Sequence, residues 1–284
     1  LGTRVYVAGA AAGVGIFGVA VIETVGNSVI ATIPLGGNPT GMAASPDGAR
    51  LYVTQPFANG VQVVNAVTNA LITTVAVEGA WAVVVHPDSS KVYVTTDRFA
   101  GTLAVIDTAT NTVATNVPVG NIPRGVAINP AGTRAYVANQ SSNNLTVVDT
   151  TTNTVLTTVP VGTSPYAVAV HSSGSRVYVA NNGSSDVSIV DATSNTVVQT
   201  VAVPSYPRGL GITGAGTQVY VPYGGQAGPN AQPDGVAVLG TGCNEVSGVL
   251  TAGMGPIGLG LFIGPGGEPP PPPVPLTTHV TSIE

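Results

Sequence analysis

The sequence predicts an all-β protein, a six-bladed β-propeller whose blades are four-stranded antiparallel sheets. Three observations predict it: a recurring tyrosine signature, four strand-like segments in each period, and a composition poor in charged residues. The tyrosines are separated by 46, 41, 43, 42 and 42 residues and stand at Tyr6, Tyr52, Tyr93, Tyr136, Tyr178 and Tyr220. A period of this length that holds four strands is what a propeller blade requires.

Four segments, named A to D here, recur in order and are rich in Val, Ile, Thr and Tyr. Examples are PRGVAIN for A, RAYVAN for the tyrosine segment B, LTVVD for C and VLTTVPV for D. Gly, Pro, Asn and Asp separate them, as is typical of strands joined by tight turns. Apolar residues on both faces predict sheets covered on both sides, so the blades must stack. The Gly-rich A segments suit the crowded innermost position.

The phase of the repeat predicts how the ring closes. The chain begins on a B segment, and the last recognisable segment is an A segment, PIGLGLF. We expect residues 256–263 to pair with residues 3–8, which gives the first blade its fourth strand and removes an open edge. The propeller domain then covers residues 1–264, in six repeats of about 42 residues, and residues 265–284 form a Gly/Pro-rich C-terminal arm or linker.

The arm begins with a proline run that favours polyproline II, a semi-rigid spacer. The run consists of Pro269, Pro270, Pro271, Pro272 and Pro273. The sequence LTTHVTSI that follows, with Val280 and Ile283, alternates enough to form a short strand. One interpretation is a flexible linker. The other is an inter-subunit arm that docks on an exposed blade edge of a neighbouring copy.

Composition excludes several classes of function. Charged residues make up 7% of the chain, against roughly 25% in an average soluble domain. Eight Lys and Arg argue against a nucleic-acid partner. The single Cys243 excludes an internal disulfide and a CxxC-type metal site; we expect a free thiol, with intermolecular pairing as the alternative. Residues 5–22 carry no charge, but the repeat divides them into two strands, so no membrane span is predicted.

The submotifs YVAN or YVTT, VxVVD, TNTV and TVPVG resemble the YVTN-type β-propeller repeats of bacterial and archaeal surface-layer and secreted proteins. The resemblance covers about residues 1–264 and is best over 39–203. Insertions in two B–C loops, AGAAAGVGIFG and PYGGQAGPNAQPDG, depart from it. Many such propellers have seven blades, so six is a further departure. The resemblance implies an extracellular or cell-surface protein, secreted with a leader that is absent from this chain.

Two repeated positions carry charge. Asp107, Asp149 and Asp191 end the C segments, either as a carboxylate array for Ca²⁺ or, as we favour, as caps of the C–D turns. The basic residues before the tyrosines either form a ring of positive charge or pair with Asp47 or Asp88. They are Arg4, Arg50, Lys91, Arg134 and Arg176.

The candidate binding residues are Arg124, Tyr166 and Arg208, which start A segments and would reach the mouth of the channel. His86 and His171 stand in non-adjacent blades, so no joint metal site is predicted. No phosphate loop or nucleophile elbow is present, and we predict no catalytic residue, cofactor or metal.

The sequence therefore favours a non-catalytic, extracellular structural protein that self-associates into a filament or surface layer, partnered by itself or by another cell-surface component. The alternative is a module that binds a glycan or other ligand at the channel mouth. A lactonase- or lyase-like enzyme is the third hypothesis, because similar propellers include such enzymes. It requires clustered carboxylates or histidines at the channel, which the sequence does not supply.

Overall fold

The computed structural model describes residues 3–10, 17–58, 60–224 and 234–251. These residues form 23 β-strands in six antiparallel sheets, with one turn of 3-10 helix at Pro56–Ala58. Consecutive sheets are consecutive along the chain, so each sheet is one blade. The protein is an all-β, six-bladed propeller, as predicted. Five blades have four described strands each, and the first has three.

Blades I to III contain the first eleven strands. They are β1 (Arg4–Ala10), β2 (Phe17–Glu23) and β3 (Ser28–Pro34) in blade I; β4 (Gly41–Ala44), β5 (Arg50–Gln55), β6 (Gly60–Asn65) and β7 (Leu71–Ala76) in blade II; and β8 (Ala80–Val85), β9 (Lys91–Thr96), β10 (Thr102–Asp107) and β11 (Thr112–Pro118) in blade III.

Blades IV to VI repeat the pattern. They contain β12 (Pro123–Ile128), β13 (Arg134–Asn139), β14 (Asn144–Asp149) and β15 (Thr154–Pro160) in blade IV; β16 (Pro165–Val170), β17 (Arg176–Asn181), β18 (Asp186–Asp191) and β19 (Thr196–Ala202) in blade V; and β20 (Gly211–Ile212), β21 (Gln218–Tyr223), β22 (Gly235–Gly240) and β23 (Glu245–Thr251) in blade VI.

The A strands lie innermost, as their glycines predict. A Cβ at Gly41 would lie 2.8 Å from the carbonyl oxygen of Trp81, on the A strand of the next blade. A Cβ at Gly125 would lie 2.9 Å from the carbonyl oxygen of Tyr166 in the same way. Neighbouring inner strands therefore touch through their backbones, which only glycine permits at these positions.

The hydrophobic core lies between blades rather than within them. Each buried cluster combines side chains of two consecutive blades: I with II, II with III, III with IV, IV with V, and V with VI. Four signature tyrosines are fully buried there: Tyr52, Tyr93, Tyr136 and Tyr178. Both faces of a middle blade are covered because each faces another sheet, which is why the strands are apolar on both sides.

The recurring acidic residue caps the C–D turn, as we favoured. Asp149 Oδ1 accepts hydrogen bonds from the backbone N–H groups of Thr151 and Thr152, at 2.8 and 2.9 Å. In blade II, Asn65 Oδ1 accepts from Val67 and Thr68, at 2.9 Å each. The asparagine that closes the turn adopts positive φ, as at Asn153 (55°), a conformation that Asn tolerates.

Several expectations fall on residues outside the described ones. These include the pairing of residues 256–263 with residues 3–8, the arm at 265–284, and most of both B–C insertions. In the described part, β1 pairs with β2, and Val5 and Val7 on β1 are 48% and 50% exposed. Closure by the C-terminal A segment remains a prediction. Residues 5–22 are divided between β1 and β2, as the repeat requires, and no helix of the described chain is long and apolar enough to cross a membrane.

Candidate functional site at the channel mouth

The predicted binding residues start consecutive inner strands at one end of the propeller. Arg124 lies on β12 and Tyr166 on β16, while Arg208 precedes β20. The C-terminal ends of the B strands lie at this end of the propeller too, because A and B strands are antiparallel. We call the following residues the mouth cluster: Trp81, Asp97, Arg124, Gln140, Tyr166 and Arg208.

Arg124 is the centre of the mouth cluster. Its guanidinium carbon lies 3.9 Å from the centroid of the Trp81 ring and 5.9 Å from that of Tyr166. Arg124 Nε donates to Gln140 Oε1 at 2.7 Å, and Nη1 lies 3.1 Å from Asp97 Oδ2. The side chain is only 14% exposed. Stacking on Trp81, an ion pair and a hydrogen bond together fix the guanidinium in one orientation.

The inner strands that carry this cluster are held by threonines of the neighbouring B strand. Thr95 Oγ1 donates to the carbonyl oxygen of Arg124 at 2.7 Å and accepts from the backbone N–H of Ala82 at 3.0 Å. Thr54 occupies the equivalent place one blade earlier and donates to the carbonyl of Trp81 at 2.6 Å. These buried hydroxyls hold the backbone at Trp81 and Arg124 in place and so fix the positions from which the two side chains extend.

Two donors of the cluster are buried without an aligned acceptor. They are Trp81 Nε1 and Arg124 Nη1, neither of which makes a hydrogen bond with good geometry. The contact of Nη1 with Asp97 is therefore an ion pair by distance rather than an aligned hydrogen bond. The cluster carries more donor capacity than its own acceptors satisfy.

Tyr166 and Arg208 extend the mouth cluster into blades V and VI. Burial raises the pKa of the Tyr166 phenol, while the nearby charges of Arg124 and Arg208 act to lower it. Arg208 is held by its backbone, whose N–H donates to the carbonyl of Pro222 at 3.0 Å. Its guanidinium has no hydrogen-bond or ion-pair partner among the described residues. The structure thus brings together the three predicted residues and adds Trp81, Asp97 and Gln140, which sequence reasoning missed. Trp81 stands at the same repeat position as the three predicted residues, and Asp97 and Gln140 each directly follow a B strand.

At the opposite end, basic residues link consecutive blades. Arg4 Nη1 donates to the carbonyl of Ala66 at 2.7 Å, and Lys91 Nζ to that of Thr150 at 2.8 Å. Arg50 and Arg134 reach the equivalent carbonyls of Thr108 and Ala192. Each acceptor lies in the C–D turn of the following blade. Of the two predicted roles, a free positive ring and pairing with Asp47 or Asp88, the structure shows neither as the main contact.

The junction between blades V and VI departs from this pattern. Arg176 pairs with Asp191 of its own blade. Gln218, which replaces the basic residue in blade VI, accepts a hydrogen bond from Tyr220 at 3.1 Å. We call the hydrogen bond from a basic residue to the next C–D turn the latch. It is found at the junctions I–II, II–III, III–IV and IV–V.

The two histidines also join blades, at separate junctions. His86 Nε2 lies 2.7 Å from the carbonyl of Gly132 in blade IV, and its Nδ1 lies 2.5 Å from Asp88 Oδ1. His171 Nε2 lies 2.9 Å from the carbonyl of Gly216 in blade VI. Within the described ranges, no group of three or more His, Cys, Asp or Glu could hold a metal ion. Cys243 is an exposed free thiol in the C–D turn of blade VI.

Comparison with known proteins supports the fold more than the function. The family model described as lactonase, 7-bladed β-propeller, matches residues 42–159, which span most of blades II to IV and include Trp81, Asp97 and Arg124. No curated protein matches the chain. The specific likeness to YVTN-type repeats remains a resemblance of sequence.

Two solved structures illustrate the fold. Hydrazine synthase of Kuenenia stuttgartiensis is 24% identical with a TM-score of 0.65, over 72% of this chain and 63% of that one. A functionally unknown protein from Desulfotomaculum acetoxidans DSM 771 is 18% identical with a TM-score of 0.70, over 84% of this chain and 82% of that one. The chain thus spans less than two thirds of the hydrazine synthase chain. At these identities the likeness shows a shared propeller fold.

Proposed function

We propose that this protein is a non-catalytic, extracellular structural propeller that self-associates through the outer edges of its blades. The observation that carries the proposal is the character of the six outer D strands. They are β3, β7, β11, β15, β19 and β23. Each is the edge of its sheet, and Glu245 is the one charged residue in all six.

The D strands expose large apolar side chains as well as unpaired backbone. A β-bulge interrupts the pairing of each with its C strand, and the bulged residue is apolar and between 44% and 50% exposed in four blades. These residues are Ile30, Ile72, Leu156 and Val198. Bulges commonly blunt an edge, but here the extra residue presents an apolar group to the outside.

Open edges are usually protected by charge, because an unpaired strand is a template for another chain. Here proline ends three of the six D strands, at Pro34, Pro118 and Pro160, and charge is nearly absent. Six edges with similar sequence suit pairing with a second copy of the same chain, since identical antiparallel edges can join about a two-fold axis. We therefore propose the second copy as the partner.

The C-terminal arm is part of the proposal. Its LTTHV resembles the D-strand sequences VLTTV and LITTV, so it has the composition of a strand that could add to such an edge. The candidate contact residues are those of the proline run together with Val280 and Ile283. The low charge and the resemblance to surface-layer repeats support an extracellular location.

The experiment measures the molar mass of the 284-residue chain by light scattering and examines the same sample by electron microscopy. We expect oligomers or filaments that are lost on removal of residues 268–284 and weakened by Leu156→Lys combined with Val198→Lys. The matched control is Thr151→Lys combined with Thr193→Lys, which adds the same charge to exposed turns of the same two blades. A monomer at all concentrations, or equal loss in the control, would overturn the proposal.

The lactonase family match favours enzymatic activity as a second candidate function. The matched segment contains Asp97 and Arg124, but they are paired with each other, and the described mouth cluster holds no histidine or further carboxylate that could act as a general base. We expect no hydrolysis of δ-gluconolactone above the buffer rate. Turnover that disappears in Asp97→Asn would establish the enzyme instead.

A further inference from the structure

We propose that the mouth cluster binds a small organic carboxylate, with Arg208 as the principal charge and Tyr166 as the ring on which the ligand body rests. This goes beyond self-association, because it concerns the inner strands rather than the outer edges. Neither the family match nor the solved structures assign these residues a role.

The first argument is a census of positive charge. The chain has eight Lys and Arg, and all eight lie in the described residues. Seven have partners: five hold turns, Arg98 pairs with Glu78, and Arg124 pairs with Asp97. Arg208 is the eighth, and its guanidinium has no partner in the described part of the chain. In a protein with so few charged residues, a half-buried arginine at the mouth that no protein group neutralises is free to bind an anionic ligand.

The second argument is the local balance of charge. Arg124 is neutralised by Asp97, so Arg208 leaves the mouth cluster with one net positive charge. Arg208 is half-buried, and its charge lies close enough to the Tyr166 phenol to act on it. An anion at this position therefore gains more than it would from an exposed arginine.

The third argument is that the site is already built. Arg208 N–H is bonded to Pro222, and Pro207 bridges to Tyr223 while its carbonyl accepts from Asn182 Nδ2 at 3.3 Å. Arg124 is fixed by Gln140 and Trp81 on the far side of Tyr166. A ligand would meet a fixed backbone and a fixed Arg124, so the Arg208 side chain is the main group that has to be ordered on binding.

The chemistry selects the ligand class. A guanidinium presents a planar pair of donors that matches both oxygens of a carboxylate. The half-buried Tyr166 supplies a ring face and a hydroxyl that has no hydrogen-bond partner among the described residues. Arg124 stacks on Trp81 at 3.9 Å and lies 5.9 Å from the centroid of Tyr166, so Tyr166 is the less covered ring. A carboxylate attached to a sugar-sized ring, as in an acidic monosaccharide, uses both features.

The experiment is calorimetric titration of the full chain with D-glucuronate, with D-glucose as the neutral control. We expect glucuronate to bind and glucose to give no heat. Arg208→Gln should weaken the affinity about tenfold or more through loss of a charge-assisted pair. Arg98→Gln, which removes the same charge from an exposed residue ion-paired with Glu78, should leave it unchanged.

Circular dichroism and molar mass separate this proposal from the proposed function. Arg208→Gln should keep the spectrum and the oligomeric state of the parent chain while losing the ligand. Tyr166→Phe should retain most of the affinity, because it keeps the ring. Absence of glucuronate binding, equal binding of glucose, or equal loss in Arg98→Gln would overturn the proposal even if the protein self-associates.

Discussion

Lys91 Nζ donates a hydrogen bond to the carbonyl oxygen of Thr150 at 2.8 Å, across the junction between blades III and IV. The two residues are 59 positions apart, and the same relation recurs between Arg4 and Ala66 at 2.7 Å. The repeat places a basic residue at the start of each B strand from blade I to blade V, and in blades I to IV this residue reaches the C–D turn of the next blade. Within one repeat the basic residue resembles an ordinary charged surface residue, but in the folded protein it joins two blades.

Lys91→Met should lower the free energy of unfolding by about 1 kcal/mol, because the carbonyl of the buried Thr150 loses its charged donor. Chemical denaturation with urea measures this loss, and Lys91→Arg should retain most of the stability since it keeps a donor of similar reach. Equal stability of the methionine variant and the parent would show that the latch contributes nothing.

Two equivalent tyrosines provide a matched pair. The Tyr93 hydroxyl donates to the Thr150 carbonyl at 3.2 Å and lies 3.1 Å from Asn153 Oδ1. The buried Tyr136 hydroxyl makes no hydrogen bond of good geometry in the described chain, although the Arg134 side chain lies close to it. Tyr93→Phe should cost about 1 kcal/mol of stability, and Tyr136→Phe should cost close to nothing. Thermal or urea unfolding of both variants is the measurement. A larger loss at Tyr136 would contradict the assignment of hydrogen bonds.

The blade count, the order of strands and the C–D turns could be predicted from the sequence because each depends on local pattern. The strand period of two and the Asp-x-x-x-Asn turn can be read within one repeat, and the tyrosine spacing of about 42 residues can be read by comparing one repeat with the next. The role of Asp149 as a turn cap followed from the same reasoning, since carboxylates that stand in separate blades are too far apart to form a shared site.

The partners of Lys91 and Arg124 could not be predicted, because they depend on packing between repeats. Lys91 has Asp88 close by in sequence, yet its ammonium group reaches a turn one blade away. Arg124 meets Asp97 and Trp81, which precede it by 27 and 43 residues in the neighbouring blade. Periodicity shows which positions are equivalent, but side-chain reach across a blade junction is a property of three-dimensional stacking.

The C–D turns make stability sensitive to acid. Backbone N–H donors hold the pKa of Asp107, Asp149 and Asp191 below the ordinary value of 3.8. Because the folded pKa lies below the unfolded one, this contribution is complete above about pH 5 and is lost as the pH falls through 3.8 and then through the folded pKa. The free energy of unfolding should therefore decrease in that window.

Asp149→Asn isolates this effect, because Asn65 already caps the same turn in blade II with the same two hydrogen bonds. The variant should keep the turn and show a smaller loss of stability between neutral and acid pH. Urea unfolding at a series of pH values measures the slope. An unchanged slope would mean that Asp149 does not contribute to the acid sensitivity.

Gly125→Ala should disturb the inner ring. The added Cβ would lie 2.9 Å from the carbonyl of Tyr166, from Ala167 Cα and from Val168 N, all backbone atoms that cannot move independently of β16. Overpacking of this kind costs about 1–3 kcal/mol. Gly248→Ala on the outer strand β23 is the matched control, since a Cβ there meets no atom within 4 Å and should change stability by less than about 0.5 kcal/mol. Urea unfolding of both variants tests the contrast, and equal effects would show that the inner strands can separate without cost.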